Sequence, residues 1–121
     1  MIVRGGCHCG LVQFEASLPD GAPVEIHDCN CSICTMTGYQ HVIVPESRFR
    51  LVEGKRDTTT YRFGTGKARH IFCQQCGIKS FYKPRSHPDG ISINWRCVED
   101  TAAVETIIVA FDGQNHPGAI G

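Results

Sequence analysis

The stretch Cys73-Gln74-Gln75-Cys76-Gly77 has the spacing of a metal-binding turn. In a C-x-x-C turn followed by glycine, two thiolates can converge on one ion while backbone N–H groups point toward the sulfurs. The glycine tolerates the positive φ that such a turn often needs. Two sulfurs supply only half of a tetrahedral zinc site. The stretch therefore predicts that other parts of the chain complete the site and that the ion ties them together.

The other six of the eight cysteines form two further clusters and one isolated residue. They are Cys7-His8-Cys9-Gly10, Cys29-Asn30-Cys31-Ser32-Ile33-Cys34 and Cys97. Side chains two positions apart lie on the same face of an extended strand. If the C-x-C pairs are extended, each of the two clusters can therefore direct a pair of sulfurs at one ion.

The cellular compartment bears on whether these cysteines bind metal or form disulfides. The start of the chain contains no apolar run of signal-peptide length, and no stretch is apolar enough to cross a bilayer. These features predict a soluble, cytoplasmic protein. Thiols stay reduced in such a compartment, so clustered cysteines favour metal binding. The alternative is a set of buried free thiols or a redox pair.

The overall charge argues against two classes of partner. Twelve lysine and arginine residues balance twelve aspartate and glutamate residues in the 121-residue chain. A neutral chain lacks the basic field that holds nucleic acid or an anionic membrane surface. We therefore expect neither as a partner.

Counting ligands suggests one closed site and one open site. Cys7 and Cys9 with Cys73 and Cys76 would make a complete site of four thiolates. The middle cluster, which we define as Cys29, Cys31 and Cys34, would then have three ligands and no evident fourth. A closed zinc site stabilises a fold, whereas a site with three protein ligands keeps a position for water or substrate.

Spacing alone leaves other partitions open. Cys7 and Cys9 could instead pair with Cys31 and Cys34. Cys73 and Cys76 would then be completed by the two remaining cysteines, Cys29 and Cys97, or by a histidine. Either partition gives a protein with two zinc ions.

The rest of the sequence predicts a mainly β fold with few short helical turns. β-branched and alternating segments separated by Gly, Pro and Asp turns are typical of short strands. The predicted strands are Leu11–Ala16, His41–Val44, Phe49–Glu53, Thr58–Phe63, Arg69–Cys73, Lys79–Lys83, Gly90–Trp95 and Thr106–Phe111. A short helical turn is expected around Pro45–Phe49. The length predicts a single zinc-binding domain over residues 1–113 and a loose tail over residues 114–121.

The order of the three cysteine clusters resembles the glutathione-dependent formaldehyde-activating enzyme family, which also includes centromere protein V. The clusters that carry this resemblance are Cys7–Gly10, Cys29–Cys34 and Phe72–Gly77. The segment Gly77–Gly90, followed by Asn94 and Arg96–Asp100, is especially similar to the centromere protein V branch. The resemblance covers residues 3–113.

The resemblance implies a small zinc-bound β-sheet domain of the Mss4-like type with two Zn²⁺ per chain. It implies a structural zinc held by Cys7, Cys9, Cys73 and Cys76. It also implies a functional zinc at the middle cluster, where the substrate is expected. The activity of the family is a carbon–sulfur lyase activity, in which formaldehyde and glutathione form S-hydroxymethylglutathione. The partner would thus be a small thiol such as glutathione. The alternative is a non-catalytic two-zinc binding module.

Several other residues are candidates for substrate contacts or for the core. Residues close to the middle cluster in sequence could donate a proton to the product; they are His27, Ser32, Thr35, Tyr39 and His41. Guanidinium groups match carboxylates in two-point geometry, so glutathione could bind to Arg69, Arg85 or Arg96. The core is predicted to include Phe72, Phe81, Tyr82 and Trp95. Cys97 is predicted to be a buried free cysteine and a reserve ligand.

Overall fold

The computed structural model of the chain describes residues 1–115 and is mainly β, as predicted. Its ten strands are β1 (Ile2–Gly6), β2 (Gln13–Ser17), β3 (Val24–Cys29), β4 (His41–Pro45), β5 (Phe49–Glu53), β6 (Thr58–Tyr61), β7 (His70–Cys73), β8 (Phe81–Tyr82), β9 (Gly90–Asn94) and β10 (Thr106–Phe111). One α-helix, α1 (Ser32–Thr37), and two 3₁₀ turns, Glu46–Arg48 and Trp95–Cys97, complete the elements. Most of the predicted tail, from residue 116 onward, lies outside the described residues. Within residues 1–115, no helix has the length and apolarity needed to cross a bilayer.

The strands form three sheets. Strands β1, β2 and β5 form an antiparallel three-stranded sheet in the order β1-β2-β5. A five-stranded sheet has the order β10-β3-β4-β9-β8, in which only the β10–β3 pair is parallel. Strands β6 and β7 form an antiparallel ribbon. Three strand ends carry cysteines: β3 ends at Cys29, β7 ends at Cys73, and Cys7 follows the last residue of β1.

The hydrophobic core joins the two larger sheets through aromatic rings. Phe14 in β2 is 1% exposed, and its ring lies 5.7 Å from that of Phe49 in β5 and 6.4 Å from that of Phe81 in β8. Alternating side chains of β1 and β2 face this core, whereas all five residues of β9 are buried because β4 and β8 flank it. The predicted core residues Phe81, Tyr82 and Trp95 are buried, and Phe72 is half-buried.

The expectation of an extended C-x-C pair was wrong for Cys7 and Cys9. Cys7 and Cys9 lie in a turn after β1, in which the Gly10 N–H donates to the Cys7 carbonyl and Gly10 has φ 84°. Cys29 is the last residue of β3, and Cys31 caps the start of α1. The sulfurs of Cys7 and Cys9 therefore converge in a turn, whereas Cys31, with φ −66° and ψ 160°, keeps the extended backbone that was expected of the second pair.

Candidate metal centres

Cys7, Cys9, Cys73 and Cys76 lie together, and we call them the four-cysteine cluster. Their Sγ atoms all lie within 4.8 Å of one another. The Sγ of Cys9 is 3.6 Å from the Sγ of Cys7 and 3.6 Å from the Sγ of Cys73. A tetrahedral ion with metal–sulfur bonds of about 2.3 Å places its sulfurs about 3.8 Å apart. The separations therefore fit one metal ion held by four cysteines.

Backbone groups around this cluster also fit thiolate ligands. The N–H of Val12 donates to Cys7 Sγ at 3.3 Å, and the N–H groups of Gln75 and Cys76 donate to Cys73 Sγ at 3.3 and 3.4 Å. The N–H of Cys76 holds the pKa of the Cys73 thiol below its ordinary value. Gly77 has φ 77°, the positive value expected of the last residue of this turn. All eight cysteines are free thiols.

The second group that could hold a metal consists of Cys29, Cys34 and His41, whose ligand atoms lie within 4.8 Å of one another. Cys29 ends β3, Cys34 is buried in α1, and His41 is the first residue of β4. The Nε2 of His41 lies 3.0 Å from the Sγ of Cys34. The middle cluster therefore has an imidazole beside its sulfurs. Because His41 lies on a strand and Cys34 on α1, the spacing of the cysteines could not predict this contact.

Cys31, although predicted as a ligand, is not part of this second group, but its side chain contacts those of Cys29 and Cys34. Hydrogen bonds with the side chains of Cys29 and Cys34 lower the pKa of Cys31 to about 2. Hydrogen bonds with Cys29 and Cys31, together with burial, raise the pKa of Cys34. In this arrangement one thiolate is stabilised by the two adjacent thiols. Such a set of sulfurs is well suited to a soft or borderline metal ion.

Two hydroxyl groups hold His41 from the opposite side. Its Nδ1 is 3.0 Å from Ser92 Oγ and 3.2 Å from the Tyr82 hydroxyl. Burial and the charge of Lys79 lower the pKa of His41 to about 3, so the imidazole is neutral. Hydrogen bonding at one ring nitrogen orients the other, as in histidines that bind metals. Nε2 can thus either ligate an ion or donate an N–H to Cys34.

The middle cluster opens into a cleft. Its lining includes the three cysteines of the middle cluster together with Phe63, His70, Tyr82, Arg85 and Phe111. Arg85 Nη2 donates to the Gly113 carbonyl at 3.5 Å, which places a guanidinium next to the cluster. A small molecule in this cleft would therefore meet sulfur, a cation and aromatic rings.

The other candidates from the sequence are spread over the molecule. Ser32 lines the cleft. Thr35 is exposed on α1, and Tyr39 is buried with its hydroxyl donating to the Ser92 carbonyl at 2.9 Å. His27 stacks on Phe111 with ring centroids 6.2 Å apart.

The remaining cations and the isolated cysteine lie elsewhere. Arg96 donates to the Gly38 carbonyl at 2.9 Å, and exposed Arg69 pairs through its backbone with Lys83. Cys97 is half-buried. Its pKa is raised to about 11 by burial and by Cys7 and Cys76. Among the described residues, Cys97 belongs to neither group of potential ligands.

Two residues of the site were not found from the sequence. His70 is 5% exposed and lines the cleft, and Lys79 is 8% exposed with its Nζ 2.9 Å from His70 Nδ1. Both lay within predicted strands and matched no motif. The sequence held one signal for Lys79, which is its place two residues before the apolar pair Phe81–Tyr82. Residues two apart in a strand share a face, so Lys79 was on the same face as Phe81, where a lysine is unusual.

Residues 2–112 match the sequence model of the glutathione-dependent formaldehyde-activating enzyme family. The chain belongs to this family. A Halomonas elongata protein named "Putative glutathione-dependent formaldehyde-activating enzyme" is 31% identical over 84 residues, which cover 63% of this chain and 52% of the relative. The chain thus spans about half the length of this curated relative. The crystal structure of a Rhodobacter sphaeroides protein superposes with a TM-score of 0.75 and 33% identity, covering 88% of this chain and 99% of the other.

Gly113 permits the close packing of the middle cluster. A Cβ at this position would overlap Cys29 Sγ and lie 3.2 Å from Cys31 Cβ. We expect Gly113→Ala to weaken metal binding at the middle cluster by about 10- to 100-fold, the usual effect of disturbing the surroundings of metal ligands. Competition titrations with a chromophoric chelator measure this affinity.

The matched control is Gln114→Ala at the exposed neighbouring position. It should leave both metal affinities unchanged, and Gly113→Ala should leave that of the four-cysteine cluster unchanged. Equal affinity of Gly113→Ala and the unaltered protein at the middle cluster would contradict the packing argument.

Proposed function

We propose that this protein is a zinc-dependent carbon–sulfur lyase that joins a small thiol such as glutathione to formaldehyde. The observation that carries the proposal is that the three cysteines of the middle cluster line one cleft. Membership of the family supports the same reaction. The name of the Halomonas elongata relative points to the same substrates.

The two metal sites have different roles in this proposal. Zinc at the four-cysteine cluster has all its ligands from the protein and stabilises the fold. Zinc at Cys29, Cys31 and Cys34 would supply a site at which an entering thiol loses its proton. Three thiolates give that site a net negative formal charge, which suits a nucleophilic thiolate better than the strong activation of water.

Arg85 provides the means to orient the thiol substrate. It lines the same cleft as the middle cluster and is half-buried, so its charge is less screened than that of a surface arginine. Its guanidinium can hold a carboxylate of glutathione in two-point geometry. Arg69 and Arg96 lie outside the cleft lining. Arg85 is therefore the carboxylate contact that we assign among the three candidate arginines.

The test is the rate of formaldehyde addition to glutathione with the zinc-loaded protein, compared with the spontaneous rate and with the rate in the presence of Cys31→Ser. We expect acceleration by the unaltered protein and a return to the spontaneous rate with Cys31→Ser, whose circular dichroism should stay unchanged. The serine keeps the size of the side chain while removing one thiolate from the cleft. No acceleration over a panel of small thiols and aldehydes would refute the lyase function.

The position of His41 favours a second candidate function, a non-catalytic two-zinc binding module. If His41 Nε2, 3.0 Å from Cys34 Sγ, were itself a ligand, the middle site would have four protein ligands and no position for a thiol. Cobalt substitution separates the two functions because each added thiolate contributes sulfur-to-metal charge transfer. Glutathione should change the cobalt spectrum of an open site, whereas a spectrum unaffected by glutathione would favour the module.

A further inference from the structure

Lys79 is a buried lysine, and it takes part in none of the ion pairs within residues 1–115. Its Nζ lies 4.1 Å from the centre of the Tyr82 ring and 4.8 Å from that of Tyr39. Burial lowers the pKa of Lys79, and negative charge at the middle cluster opposes part of this shift. Burying a charge is costly, so a lysine kept in such a place often has a functional reason.

The contact between Lys79 and His70 determines which nitrogen of His70 carries a proton. An ammonium group has three donors and no acceptor. Because Lys79 Nζ is 2.9 Å from His70 Nδ1, the nitrogen Nδ1 accepts and Nε2 is the N–H of the neutral ring. The ring of His70 also lies between Phe63 and Tyr82, with centroids 5.2 and 4.9 Å away and interplanar angles of 20° and 14°. Both its plane and its tautomer are thus set by neighbours.

The charge states fit this arrangement at neutral pH. Burial, with the charge of Lys79, lowers the pKa of His70 to about 4, so the ring is neutral. Burial lowers the pKa of Lys79 to about 8, so the amine is mostly protonated below that pH. A neutral donor and a proton source behind it are therefore both present beside the cleft.

We propose that His70 is the proton donor to the aldehyde oxygen and that Lys79 positions it and resupplies its proton. This role rests on the proposed lyase function. His70 lines the cleft that also contains Cys29, Cys31 and Cys34, so its ring and the reacting sulfur can contact the same substrate. A donor aimed at the oxygen on which negative charge develops stabilises the transition state.

The step balances in atoms and electrons. The thiol proton leaves to water as the thiolate forms, and the sulfur then bonds to the aldehyde carbon while the carbonyl π electrons move to oxygen. That oxygen takes the proton of His70 Nε2 as Nδ1 takes one from Lys79, so the ring remains neutral. After the product leaves, Nε2 takes a proton from water and Nδ1 returns its proton to the Lys79 amine, which restores the starting protonation of both residues. The product is the hydroxymethyl thioether, and nothing is oxidised or reduced.

The tautomer of His70 is measurable without any assay of activity. Long-range ¹H–¹⁵N correlation spectra of the zinc-loaded protein distinguish a proton on Nε2 from one on Nδ1. We expect His70 to carry it on Nε2, and we expect a mixture of tautomers in Lys79→Met, which removes the ammonium but retains a side chain of similar length. A proton on Nδ1 in the unaltered protein would overturn the proposal even if the protein is an active lyase.

Kinetics test the donor itself. His70→Phe keeps a ring between Phe63 and Tyr82 but removes the donor, and we expect kcat to fall about 100-fold with little change in KM for glutathione. His70→Gln retains an N–H near the position of Nε2, and we expect it to recover part of the loss. We expect a decrease of about 10-fold in kcat for Lys79→Met. If His70→Phe does not fold, the glutamine and methionine variants carry the test.

The control is Lys55→Met, the same substitution as Lys79→Met at an exposed lysine outside the cleft lining. It should leave kcat unchanged. Full activity in both His70 variants would overturn the role of His70 while leaving the lyase function intact. No activity in the unaltered protein would overturn the lyase function, and the role of His70 with it.

Discussion

Cys76→Ser is expected to leave the domain largely unfolded at room temperature. The four-cysteine cluster joins the turn after β1 to the turn after β7, and its members Cys9 and Cys73 are 64 positions apart in the chain. A structural zinc site contributes about 10–16 kcal/mol of apparent free energy at neutral pH. That is comparable to or larger than the whole stability of a typical domain, about 5–15 kcal/mol. Losing one thiolate therefore removes much of the free energy that keeps the fold.

Thermal unfolding followed by circular dichroism, with metal analysis of each variant, measures the effect. Cys31→Ser in the middle cluster should cost far less, because Cys29, Cys31 and Cys34 close only a short loop. Cys97→Ser is the matched control for losing a thiol outside both metal groups and should keep both ions. Equal losses of melting temperature in Cys76→Ser and Cys31→Ser would show that both sites stabilise the fold to the same extent.

Phe14→Ala is expected to reduce the free energy of unfolding by about 3–5 kcal/mol, the usual cost of removing a buried aromatic ring. Phe14 is 1% exposed and packs against Phe49 of its own sheet and Phe81 of the five-stranded sheet. Its removal leaves a cavity where the two sheets meet. The surrounding strands can collapse into that cavity only in part, because the ladder hydrogen bonds hold them.

Urea unfolding of the zinc-loaded protein measures this loss. Phe14→Leu is the control, since it keeps most of the apolar volume and should cost clearly less. The exposed Val52 on β5 offers a second control, and Val52→Ala should change stability by no more than about 0.5 kcal/mol. A loss below about 1 kcal/mol for Phe14→Ala would mean that this ring does not hold the sheets together.

The strand predictions show where local sequence is sufficient. The β-branched run that gives β4 and the turn-bounded segments that give β5, β9 and β10 were predicted with nearly the observed bounds. Strand β1 was missed because Ile2–Gly6 ends in two glycines. Strand β3 was missed because Val24–Cys29 alternates only over its first half. Helix α1 has six residues, which is too short for a helical apolar period to appear.

Cysteine spacing by itself determined that this chain carries local pairs and triplets of thiols able to share an ion. Such spacing acts over a few residues, because a short turn leaves two sulfurs few positions relative to each other.

The tertiary structure alone decided which of these groups meet, and it brought Cys7 and Cys9 to Cys73 and Cys76. It also placed His41 beside Cys34. The pairing of β4 with β9, which aligns His41 with Asn94, makes Ser92 a diagonal neighbour of His41. His70 and Lys79 likewise meet only after β7 and the segment before β8 have packed together. Contacts of this kind depend on sheet order and register, which arise from burial over the whole chain and leave no mark in the spacing of the residues concerned.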